Sequence, residues 1–232
     1  MAPSRFQLSP SRVCRGALAA AWVAAAAGAL QASAEAPTPG RIDFEVLRGG
    51  AHFGDQGVEV TRTASGVVAR TSADLRAGFG PLTLFHYTQN CRETWVGDTL
   101  SGLACSTLKN GKRTEVDVAP AENGLQVTAG KTSQTFPANA LPTSWWRRPP
   151  PGQYEMINTE TGEPLPVTVT RIGEETINIG GARIVADHVR VSGTLTVDLW
   201  YDADGHWVDC AFTASGQHMT YRLKSNPGEA PS

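Results

Sequence analysis

The feature that most constrains this chain is its punctuation. Between Ile42 and Leu223, short runs of alternating apolar and polar residues are interrupted by Asn-Gly, Asp-Gly, Ser-Gly and Gly-Gly pairs. No stretch holds a helical period beyond about three turns. Alternation places one set of side chains on a buried face, and the Gly-containing pairs supply the backbone conformations that tight hairpins need.

The first alternation is Ile42–Arg48, where Ile42, Phe44 and Val46 are set against Asp43 and Glu45. Gly49-Gly50-Ala-His-Phe-Gly54 follows and reads as a bulge or bend, since no helix comes after it to make a phosphate site. Strand patterns recur at Val58–Thr63, Val67–Thr71, Leu82–Trp95, Leu100–Leu108, Lys112–Val118, Leu125–Thr128 and Thr132–Phe136, with Asn110-Gly111 and Asn123-Gly124 as hairpin turns.

From Pro137 to Pro151 the texture changes to PANALPTSWWRRPPP, a long irregular segment with a short helical turn expected near Ser144. Strands resume at Tyr154–Ile157, Leu165–Ile172, Thr176–Ile179, Arg183–Val191, Thr194–Tyr201, His206–Ala214 and Gln217–Leu223. The expected fold is all-β with little helix. A single curled antiparallel meander of about a dozen strands, half-barrel or barrel-like, spans residues 42–224, and its concave side is suited to enclosing an apolar cavity.

The first 34 residues carry Arg5, Arg12 and Arg15 and no acid, then an alanine-dominated apolar stretch from Gly16 to Leu30, then Ala32-Ser33-Ala34. This is the pattern of a secretory signal peptide cleaved after Ala34, and the apolar run is shorter than a membrane-spanning helix requires. Cys14 precedes the apolar stretch, which is the wrong side for a lipidated cysteine. Residues 35–41 read as a linker and residues 225–232 as a disordered tail. The expected location is the periplasm or outside the cell, with no transmembrane anchor after cleavage.

Cleavage alters two counts. The chain holds 20 basic and 22 acidic residues, and losing three arginines leaves 17 against 22, a formal charge of −5. Such a surface excludes nucleic acid as a partner. The cysteines fall to Cys91, Cys105 and Cys210. A turn at Gly97-Asp98-Thr99 sets Cys91 opposite Cys105 as a disulfide candidate, with Cys210 as a buried free thiol on the core face.

Candidate chemistry is sparse. The histidines show no metal-binding spacing, no G-x-S-x-G elbow occurs, and nothing asks for a cofactor or metal. Pairs such as His86 with Glu93, or His188 with Asp187, require the fold to bring them together. Asp202-Ala-Asp-Gly205 overlaps the start of a calcium loop, but the twelfth position is Thr213 and the loop reads more simply as a hairpin tip.

With that four-residue loop, Tyr201 is expected opposite His206, Trp200 opposite Trp207 and Asp198 opposite Asp209. Leu195, Val197, Leu199 and Tyr201 then share a face with Val208, Cys210 and Phe212. The outer face reads either as an aromatic cross-strand pair with solvated aspartates or as a carboxylate pair beside an aromatic platform. Trp145-Trp146-Arg147-Arg148 stands out as a lid or partner contact, or as a plug at one end of the β-structure.

Several stretches carry a family resemblance. They are Phe44-Glu-Val-Leu-Arg-Gly-Gly50, Glu93-Thr-Trp95, Thr107-Leu-Lys-Asn-Gly111, Gly181–Gly193, Asp198-Leu-Trp-Tyr-Asp202, Gly205-His-Trp-Val208 and Thr220-Tyr-Arg-Leu223. Together they resemble an uncharacterised family of bacterial exported β-proteins over nearly the whole mature chain. The architecture is distantly similar to the half-barrels of periplasmic lipoprotein carriers, and Cys91 and Cys105 stand outside the family pattern. The curled sheet makes a non-enzymatic envelope protein that binds a lipid-like ligand or an envelope protein partner the expected function, and the hairpin and the Trp-Trp-Arg-Arg segment supply Trp145, Trp146, Trp200, Trp207, Asp198 and Asp209 as candidate ligand-binding residues. A carbohydrate-active hydrolase or sugar-binding protein built on Asp198, Asp209, Trp200 and Trp207, and a structural partner without a small ligand, are the alternatives.

Overall fold

A computed structural model describes residues 39–79, 82–194 and 196–224. The expected signal peptide, most of the linker, the tail and Leu195 lie outside the described residues. The first meander comprises β1 (Gly40–Arg48), β2 (Ala51–Thr63), β3 (Gly66–Phe79), β4 (Leu82–Val96), β5 (Thr99–Lys109), β6 (Lys112–Ala121), β7 (Gly124–Ala129) and β8 (Thr132–Phe136). The second comprises β9 (Gly152–Ile157), β10 (Pro164–Ile179), β11 (Ala182–Ser192), β12 (Val197–Tyr201), β13 (Trp207–Ala214) and β14 (Gln217–Leu223).

All the strands form one 14-stranded sheet in the order β8-β7-β6-β5-β4-β3-β2-β1-β14-β13-β12-β11-β10-β9. Every ladder is antiparallel, and β1 joins the two meanders by pairing Phe44 with Leu223 and Val46 with Tyr221. The sheet curls into a nearly closed barrel-like form. Right-handed strand twist accumulates across so many strands, and one-residue bulges such as those at Val46/Leu47, Ala77/Gly78 and Arg171/Gly173 bend it further.

Some strands outrun their sequence signals. β2 begins at Ala51, and the expected bulge or bend at residues 49–54 resolves into a Gly49-Gly50 turn with both φ angles positive and a bulge that leaves Phe53 unpaired between His52 and Gly54. β10 runs unbroken from Pro164 to Ile179, merging two expected strands across the bulge at Gly173. Outside the core these strands have no buried face to enforce alternation, so ladder hydrogen bonds extend further than the apolar pattern does.

Closure leaves β8 and β9 as edges, and an open edge is a row of unpaired backbone groups. Residues 137–151 cover that seam. Leu141 O accepts from Ile157 N (2.8 Å) and Thr143 N donates to Ile157 O (3.0 Å), a parallel bridge alongside β9. Gln134 Nε2 on β8 reaches Gly162 O at 2.8 Å. Gly162 itself sits at φ +76°, where a Cβ would come within 2.8 Å of Ala129 Cβ. Ser144 lies in irregular backbone: the short helical turn expected there does not form, because this segment spends its hydrogen bonds on the seam instead.

The main core lies inside the curl and draws on both meanders, with Phe44, Leu100, Phe136, Trp146, Tyr201 and Trp207 among its fully buried members. A smaller cluster of Val46, Phe53 and Met219 lies beside it, with Phe53 and Phe85 stacked at 5.5 Å.

Candidate functional site

A cavity of about 460 Å³ opens on the concave side of the sheet. Its two walls differ in chemistry. The second meander contributes Met156, Leu165, Val167, Val191, Val197 and Phe212, an aliphatic and aromatic surface. The first meander contributes a polar row across β2 and β4. Gln56 pairs with Ala73 and Ala73 with Gln89, so both amides occupy one level of the concave face, flanked by Val58 and Leu75. Tyr221 OH donates to Gln56 Oε1 (3.3 Å), and Gln89 Nε2 donates to Thr107 Oγ1 (3.1 Å).

The Pro-rich segment forms the third side, through Thr143, Ser144 and Trp145. Its position is fixed by buried polar contacts. Trp146 is fully buried, and its Nε1 donates to Glu93 Oε2 (3.0 Å), which also accepts from Trp95 Nε1 (2.8 Å). Burial raises the Glu93 carboxyl above its ordinary range, while Ser144, the two indoles and the Arg147 guanidinium work in the opposite direction. Arg147 lies over the Trp95 ring (4.7 Å), donates to Gly97 O (3.1 Å) and pairs with Asp98. Arg148 pairs with Asp187 at 2.6 Å, and Tyr201 OH donates to Trp145 O at 2.9 Å. The Trp-Trp-Arg-Arg tetrapeptide therefore inserts between the meanders, with both arginines ion-paired.

At the Asn158–Glu163 turn, Glu160 lines the cavity and pairs with Lys109 at the end of β5 (2.8 Å), an ion pair that crosses between the meanders. Tyr87 faces Lys109 across the β4–β5 ladder, and burial, helped by Glu160, pushes its phenol up.

The structure corrects the expected β12–β13 register. The loop between these strands spans residues 202–206, and a bulge sets in between Trp200 and Tyr201, so Trp200 faces Asp209, Asp198 faces Ala211 and Tyr201 faces Trp207. Asp202 causes the longer loop: its carboxylate accepts from Asp204 N (3.0 Å) and His206 N (2.8 Å) and faces His206 Nδ1 (3.1 Å). Those carboxylate contacts close the tip as a polar turn. Trp207 is thereby swung into the core against Phe44 (4.4 Å), and no Trp200–Trp207 pair forms.

Trp200, Asp198 and Asp209 remain on the face turned away from the cavity. Trp200 stacks on His188 (4.5 Å) and donates to Glu175 Oε2 (3.0 Å). His188 lies between Glu175 and Asp198, each 2.7 Å from one ring nitrogen, and Arg190 forks onto Asp198. This cluster lowers the Asp198 carboxyl despite burial. Asp209 is pushed up to about 6 by burial, offset by a hydrogen bond from Cys210 N. Of the six candidate residues, Trp145 lines the cavity, Trp146 anchors its third side, Trp207 packs in the core, and Asp198, Trp200 and Asp209 occupy the convex surface.

The anticipated histidine pairs also form differently. His86 stands beside Asp74 (3.4 Å) rather than Glu93, and Asp187 is taken by Arg148 and Arg171 rather than His188. Cys91 and Cys105 are direct cross-strand partners and are disulfide-bonded as expected, but the turn is the two-residue Gly97-Asp98 with Val96 facing Thr99, and a bulge at Thr94/Trp95 restores the register. Cys210 is free and buried.

Residues 44–224 match the family model described as a domain of unknown function, DUF6134. The chain belongs to this family. Among solved structures, the chain is similar to a β-barrel-like protein of domain of unknown function DUF1849 from Brucella abortus. The TM-score is 0.61 at 9% identity, covering 84% of this chain and 100% of that one, a likeness of fold. No curated protein matches.

Proposed function

We propose that this is a non-enzymatic protein of the bacterial envelope, exported with a signal peptide cleaved after Ala34, which holds a lipid-like ligand in the cavity of its curled sheet. The observation that carries this reading is the cavity of about 460 Å³ between an aliphatic wall and a polar row. Its size is within the roughly 300–1,000 Å³ typical of small-molecule sites. Its apolar lining on the concave side of the sheet supports a binding role.

The anchoring of Trp146, Arg147 and Arg148 supports the reading further. A rigid third side preserves the cavity when it is empty, at the cost of burying Glu93.

Native mass spectrometry of protein purified from the periplasm of its host, followed by organic extraction, tests the proposal. A co-purifying lipid and a mature chain beginning at Glu35 are expected. Retention of residues 1–34 would end the cleavage reading, absence of the protein from the periplasm would end the export reading, and protein that is empty and takes up no lipid on titration would end the ligand reading.

A further inference from the structure

We infer that the cavity accepts an uncharged amphiphile, a single apolar chain bearing a neutral hydroxyl or amide head group, and discriminates against fatty acids and other anionic lipids. This rests on the proposal that the cavity holds a lipid-like ligand, and it follows from which charges line the site and which do not.

Among the described residues lining the cavity there is no lysine, arginine or histidine. The lining carboxylate, Glu160, is held by Lys109 at 2.8 Å. Cys91 is in a disulfide, and burial pushes the phenols of Tyr87 and Tyr221 up, so both stay neutral. The arginines of the adjoining segment are committed elsewhere, Arg147 to Asp98 and Gly97 O, and Arg148 to Asp187. A carboxylate or phosphate entering this space would be desolvated with no cation to meet it, beside a fixed Glu160.

Neutral hydrogen-bonding groups are supplied instead. Gln56 accepts the Tyr221 hydroxyl through its oxygen, and Gln89 donates through its nitrogen to Thr107. Among the described residues, the remaining donor of Gln56 and the acceptor of Gln89 take no further protein partner. They present one donor and one acceptor at the same level of the cavity, two strands apart, which suits a neutral head group bearing hydroxyls or an amide. The facing wall of Met156, Leu165, Val167 and Val197 takes the chain.

Delipidated mature protein is titrated at pH 8, by calorimetry and Trp fluorescence, with two probes of equal chain length: 1-monolauroylglycerol and laurate. The uncharged probe is expected to bind about 10-fold more tightly, the equivalent of one unmet buried polar group. In the Q56L/Q89L variant, affinity for monolauroylglycerol should fall by about 10-fold while that for laurate stays within about 2-fold. Laurate binding as tightly as monolauroylglycerol in the wild-type protein overturns the inference and leaves the cavity proposal standing. Failure of both probes to bind overturns the cavity proposal itself. If Q56L/Q89L does not fold, the ratio of the two probes on the wild-type protein still decides, with the single variant Gln89→Met as the second measurement.

Discussion

Glu93 offers the sharpest test of how the Pro-rich segment is held. Its Oε2 is the shared acceptor of two buried indole donors, Trp95 Nε1 at 2.8 Å and Trp146 Nε1 at 3.0 Å. The substitution Glu93→Leu keeps the volume roughly constant and removes the acceptor. Each orphaned buried donor costs about 1–3 kcal/mol, so the pair costs about 2–6 kcal/mol. Removing a buried carboxyl returns part of its desolvation cost, which places the expected loss near 3 kcal/mol.

The pH dependence has a definite sign. Burial raises the folded carboxyl above its ordinary value of 4.5. Its contribution to stability is therefore complete below the unfolded value and declines as pH rises through the folded one. The loss caused by Glu93→Leu should be larger at pH 4.5 than at pH 8. Urea unfolding at both pH values, together with Trp146→Phe and the double variant, checks the reasoning. In the Trp146→Phe background one donor is already gone, so Glu93→Leu should cost about 1–3 kcal/mol less. A loss below about 1 kcal/mol at pH 4.5, or a loss that grows towards pH 8, would refute the account.

Other expectations follow from the same structure. Reducing Cys91–Cys105, which closes a sequence separation of 14 residues, should lower stability by about 3 kcal/mol in urea unfolding, and an unchanged midpoint would deny the bridge a structural role. Asp209 is raised from 3.8 to about 6, so its contribution is present below 3.8 and lost as pH rises through 6. Asp209→Asn should therefore be more stable than the wild type at pH 8 by about 2 kcal/mol and lose that advantage below pH 4, as thermal melts at both pH values would show. Gly162→Ala meets both a positive φ and the Ala129 methyl, so it should cost about 1–3 kcal/mol, and proteolysis of residues 137–151 should quicken if the seam depends on that turn.

Most of the fold was legible because strand alternation and turn chemistry are local. Asn110-Gly111 and Asn123-Gly124 announce their hairpins, and Ile42, Phe44 and Val46 announce a buried face, whatever the rest of the chain does. Local pattern also placed Cys91 opposite Cys105 and Cys210 in the core. Bulges were legible only at the glycine-rich Gly49–Gly54 stretch. The loop ended by His206 and the bulge beside Tyr201 broke the assumed pairing of Trp200 with Trp207, because Asp202 captures backbone donors at the tip and Trp207 gains burial against Phe44.

The sequence alone determined that the chain is an antiparallel all-β meander with an irregular Pro-rich interruption, since period and turn residues are properties of neighbours. Only the tertiary structure decided that β1 and β14 join the meanders, that the interruption covers the seam, and that Gln56 and Gln89 come to one level of a cavity. Those relations pair residues far apart in the chain. They are set by accumulated twist, by bulges and by the burial available once the sheet has curled, none of which is written in any single stretch of residues.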